Sequence, residues 1–397
     1  MKIALVHDYL REYGGAERVV EVMHEIWPQA PLYTSFVDWK SLGEHAARFR
    51  SWDIRTSWVQ HNPLVKKFHS PLRFLAPAIW NSIDLSDYDV VISSSGWYMC
   101  RGVKTKKSKV ESRKSKDIPN PESRTPNPES RTPNPDNGAV HICYIHHPPR
   151  NLYGYATGST LQKYWPVKVY AGIINFFLRH YDYETAQNVD YFVANSKETA
   201  RRVTKFYRRE STVIYPPVEV FRKKSVENTK EKEYYLSVGR LTYSKQIDVI
   251  IQACNTLKLP IKIVGVGKEL ESLKTIAGPT IEFIGGVSDE ALDQLYTNAK
   301  ALIFCALDED FGMVPVESMA HGVPVIALAQ GGVKETVVDG ETGILFEQAE
   351  KTSLIDAIIR FQKKKSEWSS ACVTQAKRFS KERFVREMKA FVEDHRR

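Results

Sequence analysis

The chain has 397 residues, 42% of them hydrophobic, and a net charge of +9. That length exceeds one ordinary core and suits two domains of ~150–200 residues, while its longest apolar stretch, 170–178 interrupted by Asn175, falls well short of the ~20 residues needed to cross a bilayer. The whole charge excess lies in residues 1–218, and five scattered cysteines show no metal-ligand spacing, so the expectation is a reduced, cytoplasmic protein without a metal. Charge is the sole support for a nucleic-acid partner, and none is expected.

Along the chain, residues 2–7 read as a first strand, which His7-Asp8 interrupts too early for a secretory signal. Tyr13-Gly14-Gly15 makes a turn, and Ala16, Val19, Val20, Met23 and Ile26 give the apolar face of a helix. Gly14 and Gly15, after a strand and at a helix start, allow close backbone approach of a phosphate or sugar. Residues 88–93, 140–145 and 190–194 are further buried strands, so strand, turn and helix in succession imply a parallel sheet. Residues 104–138 break the rhythm: lysine- and serine-rich, then PNPESRT twice and PNPDNG, they form a low-complexity insert predicted to be disordered. It enters the amino-terminal end of the 140–145 strand, away from any cleft, and is expected to have no catalytic part. The segments 65–75 and 163–170 mix cations with aromatics, as a membrane-surface contact or ordinary helix packing with snorkelling lysines would.

Pro216-Pro217 closes this domain, and a second α/β series begins with strands at 234–238, 261–264, 281–284, 301–306, 325–328 and 344–346. After the first of these, Gly239-Arg240-Leu241-Thr242-Tyr243-Ser244-Lys245 places Arg240 and Lys245 on a loop at a strand's carboxyl end, where a forked guanidinium and a point charge can grip phosphate oxygens. Residues 301–346 are the most specific stretch. Glu309 lies on the loop after a buried strand, with Asp308 and Asp310 beside it, and Glu317 is expected in the first turn of the helix that Pro315 favours and Gly322 ends. The amides of Gly312, Met313 and Val314 at that helix start suit a phosphate or sugar hydroxyl. The Asp87/Asp89 and Asp308/Asp310 pairs invite a metal reading, but the first precedes a strand and the second belongs to the loop around Glu309, so no cation is expected.

This second-half pattern, with Phe311-Gly312 between the glutamates, His321-Gly322-Val323-Pro324 and Gly331-Gly332 to Glu335, resembles the donor-binding signature of family 4 retaining glycosyltransferases of the GT-B fold. The resemblance implies two doubly wound Rossmann-like domains facing a cleft. Residues 1–217 would form an acceptor-side domain, 218–378 a nucleotide-sugar domain, and 379–397 a helix crossing back to the first. It further implies that Arg240 and Lys245, with Gly239, hold the diphosphate, that Glu309 meets a sugar hydroxyl and Glu317 the ribose, and that Val287 lines the nucleobase. His146, in His146-His147-Pro148-Pro149-Arg150, would stand at the reaction centre. One departure is Gln246 after Lys245, where the family has glycine. The implied reaction is a metal-independent hexosyl transfer from a GDP- or UDP-sugar, without a cofactor, to a saccharide or lipid-linked saccharide. The amino-terminal run is closest to bacterial mannosyltransferases of surface-polysaccharide assembly, which makes GDP-mannose the first donor. A peripheral contact with the inner face of the membrane through the first domain goes with a lipid-linked acceptor. The alternatives are a nucleotide-sugar epimerase of the same fold and a catalytically silent nucleotide-binding scaffold.

Overall fold

In the computed structural model, which describes residues 1–106, 138–157, 164–220, 232–364 and 367–396, the chain forms two wholly parallel sheets with apolar layers on both faces. The first holds β1 (Ile3–His7), β2 (Leu32–Thr34), β3 (Ile54–Thr56), β4 (Val90–Ser95), β5 (Val140–Ile145), β6 (Tyr191–Ala194) and β7 (Thr212–Val213), in the order β3-β2-β1-β4-β5-β6-β7. The second holds β8 (Tyr234–Val238), β9 (Ile261–Val264), β10 (Ile281–Gly285), β11 (Ala299–Phe304), β12 (Val325–Leu328) and β13 (Gly343–Phe346), in the order β10-β9-β8-β11-β12-β13. Strand order reverses between β1 and β4 and again between β8 and β11, and ligands of open α/β sheets bind at the carboxyl ends of such strand pairs.

Alternation along the strands builds the layers. Ile3 and Leu5 of β1 join one apolar cluster, Ala4 and Val6 the other, so both faces are buried and the strand reads as a continuous apolar run. In β8, Tyr234 and Leu236 face one cluster and Tyr235 the other. The last helix, Lys381–His395, is capped by Ser380 and sends Phe384, Met388, Phe391 and Val392 into the first sheet's core with Leu5 and Val19. All five cysteines are buried and unpaired.

Several boundaries differ from the sequence reading. β4 starts at Val90 rather than at residue 88 and runs on through three serines, because Ser93 and Ser94 find buried side-chain partners in His141 and His146. β11 spans Ala299–Phe304, and Cys305 and Ala306 stay buried but have left the ladder for the loop. The strands β2, β3 and β7 were not anticipated, being two or three residues long and too short to show a period.

The insert's segment 107–137 lies outside the described residues, but its flanks are placed. The Ala139 amide donates to the Thr105 carbonyl at 2.8 Å, beside the amino-terminal ends of β4 and β5, and Lys106 reaches Asp190 at 2.7 Å. Removing 107–137 and closing the gap with a short turn is therefore expected to change stability by no more than about 1 kcal/mol. A urea midpoint measures this. Loss of a cooperative transition would show that the insert carries part of the core.

Candidate functional site

The two reversal points face one another. At the second sheet's, the loop after β8 carries Arg240 and a short 3-10 turn, Tyr243–Lys245, and the loop after β11 carries Glu309. Lys245 Nζ lies 2.6 Å from Glu309 Oε2, both side chains being largely enclosed. Burial alone would raise the Glu309 carboxyl, but Lys245, Arg150 and Arg240 outweigh it and hold it below the usual range. Arg240 is far more open. It bridges the cleft to Glu12, on the loop after β1, at 3.0 Å, and that carboxylate holds its guanidinium firmly charged.

Gln246, where the resembling family has glycine, takes φ +49 and ψ 43 and opens the helix Ile247–Leu257. The loop thus keeps a glycine-like backbone without a glycine, at a cost of about 1–2 kcal/mol. Gln246→Gly removes that strain but loosens the unfolded chain by about 0.4–1 kcal/mol, so the variant is expected to melt at the same temperature or slightly higher. A lower midpoint would mean that the Gln246 side-chain bond to the Tyr243 carbonyl, 2.8 Å, outweighs the strain.

The helix after β11 runs Met313–Ala320 from Gly312, which has φ +90, so the amides of its first turn lack helical acceptors as expected. Glu317 is in the second turn rather than the first, because the helix starts at Met313 and Pro315 is its third residue. Its Oε1 pairs with Arg18 of the first domain at 2.6 Å and its Oε2 accepts from Tyr296 at 3.2 Å. The Phe311 side chain is buried against Tyr215 and Phe379, so only its backbone can meet a ligand. Val314 and Val287 pack partly buried on the same apolar layer, Val287 on the loop after β10, and the Gly239 amide, just past β8, donates to the Val264 carbonyl of β9 at 3.0 Å. Glycine at 331 is required by contact: a Cβ there would sit 1.9 Å from the Glu309 carbonyl oxygen.

From the first domain, Gly14 caps the helix Gly15–Ile26, and a Cβ on Gly15 would meet Met313 Sδ at 2.8 Å. The glycine turn therefore seats directly on the start of the second domain's helix. Glu17 Oε2 accepts from the Gly14 amide at 2.9 Å, and its Oε1 lies 3.3 Å from His7 Nε2. His7 Nδ1 is 3.2 Å from Ser94 Oγ, which is 2.7 Å from His146 Nε2. His146 follows β5, is buried, and is held well below its usual pKa by that burial and by its neighbours His7 and His147, so it is neutral near pH 7. Sequence reasoning found His146 but not this polar chain behind it; the signal was the His7-Asp8 interruption of an otherwise apolar strand.

Around this centre the domains are fastened by charge. Asp310 pairs with both Arg150 and Arg202, and its carbonyl accepts from Ser196 Oγ at 2.6 Å. Asp308 Oδ2 accepts from the Ala156 amide at 2.8 Å. The carboxylates of this acidic triplet are thus occupied by two arginines, a lysine and an amide, and among the described residues no cluster of His, Cys, Asp and Glu is arranged to hold a metal. Glu335 accepts from the Lys197 and Glu198 amides, both at 2.9 Å, capping a first-domain helix from the second domain. An open cavity of about 360 Å³ beside the cleft is lined by Tyr13, Arg18, Asp289 and Tyr296, and it meets the predicted residues only at Glu317.

Comparison with known proteins matches residues 218–379 to the family model described as glycosyl transferases group 1. An uncharacterized glycosyltransferase of Methanocaldococcus jannaschii is 28% identical over 176 residues, 43% of this chain and 49% of that protein. The D-inositol 3-phosphate glycosyltransferase of Nocardioides is 26% identical over 244 residues, covering 51% of this chain and 53% of its own length. The chain therefore spans about half the length of the curated relatives it matches. The crystal structure of Anabaena HepE in complex with UDP superposes over 99% of this chain and 100% of that one, with a TM-score of 0.64 at 16% identity. At that identity the likeness establishes the fold: two parallel-sheet domains in the GT-B arrangement.

Proposed function

We propose that this group 1 glycosyltransferase half, closed against a first domain of the same architecture, transfers a hexose with retention from a nucleoside diphosphate sugar to a saccharide or lipid-linked saccharide. The observation that carries the reading is the convergence of Arg240, Lys245 and Glu309 on the second sheet's reversal point, opposite the glycine turn of the first. A diphosphate needs cations as its charge builds on departure, and among the described residues Arg240 pairs with an exposed carboxylate, Glu12, that such a ligand can displace. In this reading Lys245 and Arg240, beside Gly239, take the diphosphate, Glu309 a sugar hydroxyl and Glu317 the ribose. The loop at Val287 takes the base, the amides of Gly312 to Val314 a phosphate or hydroxyl, and His146 the sugar at the reacting carbon. The bond from that carbon to phosphate breaks as its bond to the acceptor oxygen forms, and the acceptor proton leaves with the phosphate.

GDP-mannose is the first donor proposed, on the likeness of the amino-terminal run; the UDP held by the HepE structure makes UDP-hexoses the second. The test is a melting panel of GDP-mannose, UDP-glucose and the bare nucleotides, followed by turnover with added acceptor. A ligand at ~100 times its Kd adds about 2.7 kcal/mol of stability, so one donor should raise the midpoint clearly. No shift with any nucleotide-sugar would refute the reading, an isomerised donor without acceptor would point to an epimerase, and binding without transfer to a silent scaffold. EDTA is expected to leave turnover unchanged, since two side-chain cations serve the leaving group; activity lost to chelator and restored by Mg or Mn would overturn that part.

A further inference from the structure

Among the described residues, seventeen large apolar side chains stand exposed, and eleven of them come from two stretches, 64–74 and 164–183. The fold joins these stretches. Tyr170 OH donates to the Pro71 carbonyl, and Arg73 donates to Asn175 Oδ1 at 2.8 Å. On the helix Trp165–Asn188, the residues Trp165, Val169, Ile173, Phe176 and Phe177 follow the spacing of one face and point outward, while Leu178, Asp182, Thr185 and Ala186 are buried on the other. Leu64, Phe68 and Phe74 extend the exposed surface. Isolated surface hydrophobes are ordinary, but a contiguous aromatic-rich patch marks an interaction.

Its charge names the partner. Residues 63–75 and 164–181 contain no aspartate or glutamate, yet they hold Lys66, Lys67, Arg73, Lys168 and Arg179; at the far end of the helix Asp182 is buried against Arg101, and the exposed Glu184 pairs with His180 at 3.0 Å. Aromatic rings within a field where cations outnumber acids suit the headgroup region of an anionic bilayer. A second copy of the chain would set this field against itself. The contact would be superficial, because no helix among the described residues is long and apolar enough to cross a membrane.

We propose that the first domain docks on an anionic lipid surface through this face, with Trp165, Phe176 and Phe177 entering the headgroup boundary and Lys66, Lys67 and Lys168 meeting lipid phosphates. The face also borders the cleft. Asn175 Nδ2 donates to the Asn151 carbonyl at 2.9 Å and Arg179 to the Leu152 carbonyl at 3.3 Å, fixing the helix to the loop whose Arg150 pairs with Asp310 of the second domain. Docking would thus hold the cleft mouth at the membrane, where the lipid-linked form of the acceptor proposed above would lie. That last step rests on the transferase reading; the docking itself does not.

The experiment is co-sedimentation of the full chain with vesicles of phosphatidylcholine alone and of phosphatidylcholine with about one third phosphatidylglycerol. Binding is expected only to the anionic vesicles and should weaken with added salt. Replacing Lys66, Lys67 and Lys168 together by glutamine should cost roughly a hundredfold in partition, about fivefold per cation. Trp165→Ser with Phe176→Ser and Phe177→Ser should abolish binding. Both variants should keep the wild-type melting temperature and any nucleotide-sugar shift, which separates a failure of docking from a failure of the transferase reading. Wild-type protein that stays in the supernatant with anionic vesicles would overturn the proposal. So would a protein dimer that the serine variant dissociates, which would assign the face to a second copy.

Discussion

Replacing Lys245 by alanine is expected to lower kcat by about two to three orders of magnitude, the cost of deleting one preorganised charge at a developing anion, about 2.7–4 kcal/mol. Two effects are combined in that variant, because Lys245 also neutralises Glu309 at 2.6 Å in a largely enclosed site. Arg240→Ala separates them. Its pair with Glu12 is exposed and worth at most about 1 kcal/mol, so its melting point should hardly move while turnover falls by a comparable factor. Arg240→Lys should recover little, since a point charge cannot fork onto two phosphate oxygens. Steady-state rates beside thermal midpoints for the three variants check this. Full activity in Arg240→Ala would remove it from the diphosphate grip.

The same pair fixes a pH dependence. The folded-state pKa of Glu309 is depressed, so the stabilisation from its pairing with Lys245 is complete above the ordinary glutamate range and is lost as pH falls through the lowered value. Lys245→Ala should therefore flatten the acid limb of the stability curve.

What the sequence disclosed and what it hid divide along physical lines. Runs such as those of β5, β8, β9 and β12 were legible to the residue, because strands buried on both faces are predominantly apolar and end at polar or glycine-containing loops. The final helix was equally plain, with Phe384, Met388 and Val392 at helical spacing. Arg240, Lys245 and Glu309 could be nominated one by one, since each follows a strand. Their pairing could not be read, because the 64 residues separating Lys245 from Glu309 are brought together only by the crossover that places β11 beside β8. Arg18 against Glu317, 299 residues apart, depends further on how the domains meet. The chain Glu17–His7–Ser94–His146 was hidden for a third reason: burial in the sequence is inferred from apolar residues, and these four are polar groups buried because they satisfy one another.

Another buried polar group should dominate the stability of the first domain. Arg101 and Asp182 form an ion pair with both side chains fully enclosed. Arg101 also donates to Ser95 Oγ at 3.2 Å and Tyr207 OH at 3.0 Å, while Asp182 Oδ2 accepts from Tyr153 at 2.7 Å. Asp182→Ala strands a guanidinium in an apolar setting and is expected to cost about 3–5 kcal/mol, a large share of the about 5–15 kcal/mol that holds a typical domain folded. The charge itself is not what the fold needs. Replacing the pair together, Arg101→Met with Asp182→Leu, removes both desolvation penalties and should return most of the loss. Urea unfolding of the wild type, the single variant and the double variant decides between these accounts. A double variant as unstable as Asp182→Ala would show that the hydrogen bonds to Ser95, Tyr207 and Tyr153, which tie β4 to the helices 165–188 and 197–207, contribute more than charge compensation. The effect should also reach the cleft, because Thr199, on the helix that ends at Tyr207, donates to the His146 carbonyl at 3.2 Å. Loosening that helix is therefore expected to lower turnover in Asp182→Ala, even below its melting temperature, and the double variant should restore rate and stability together.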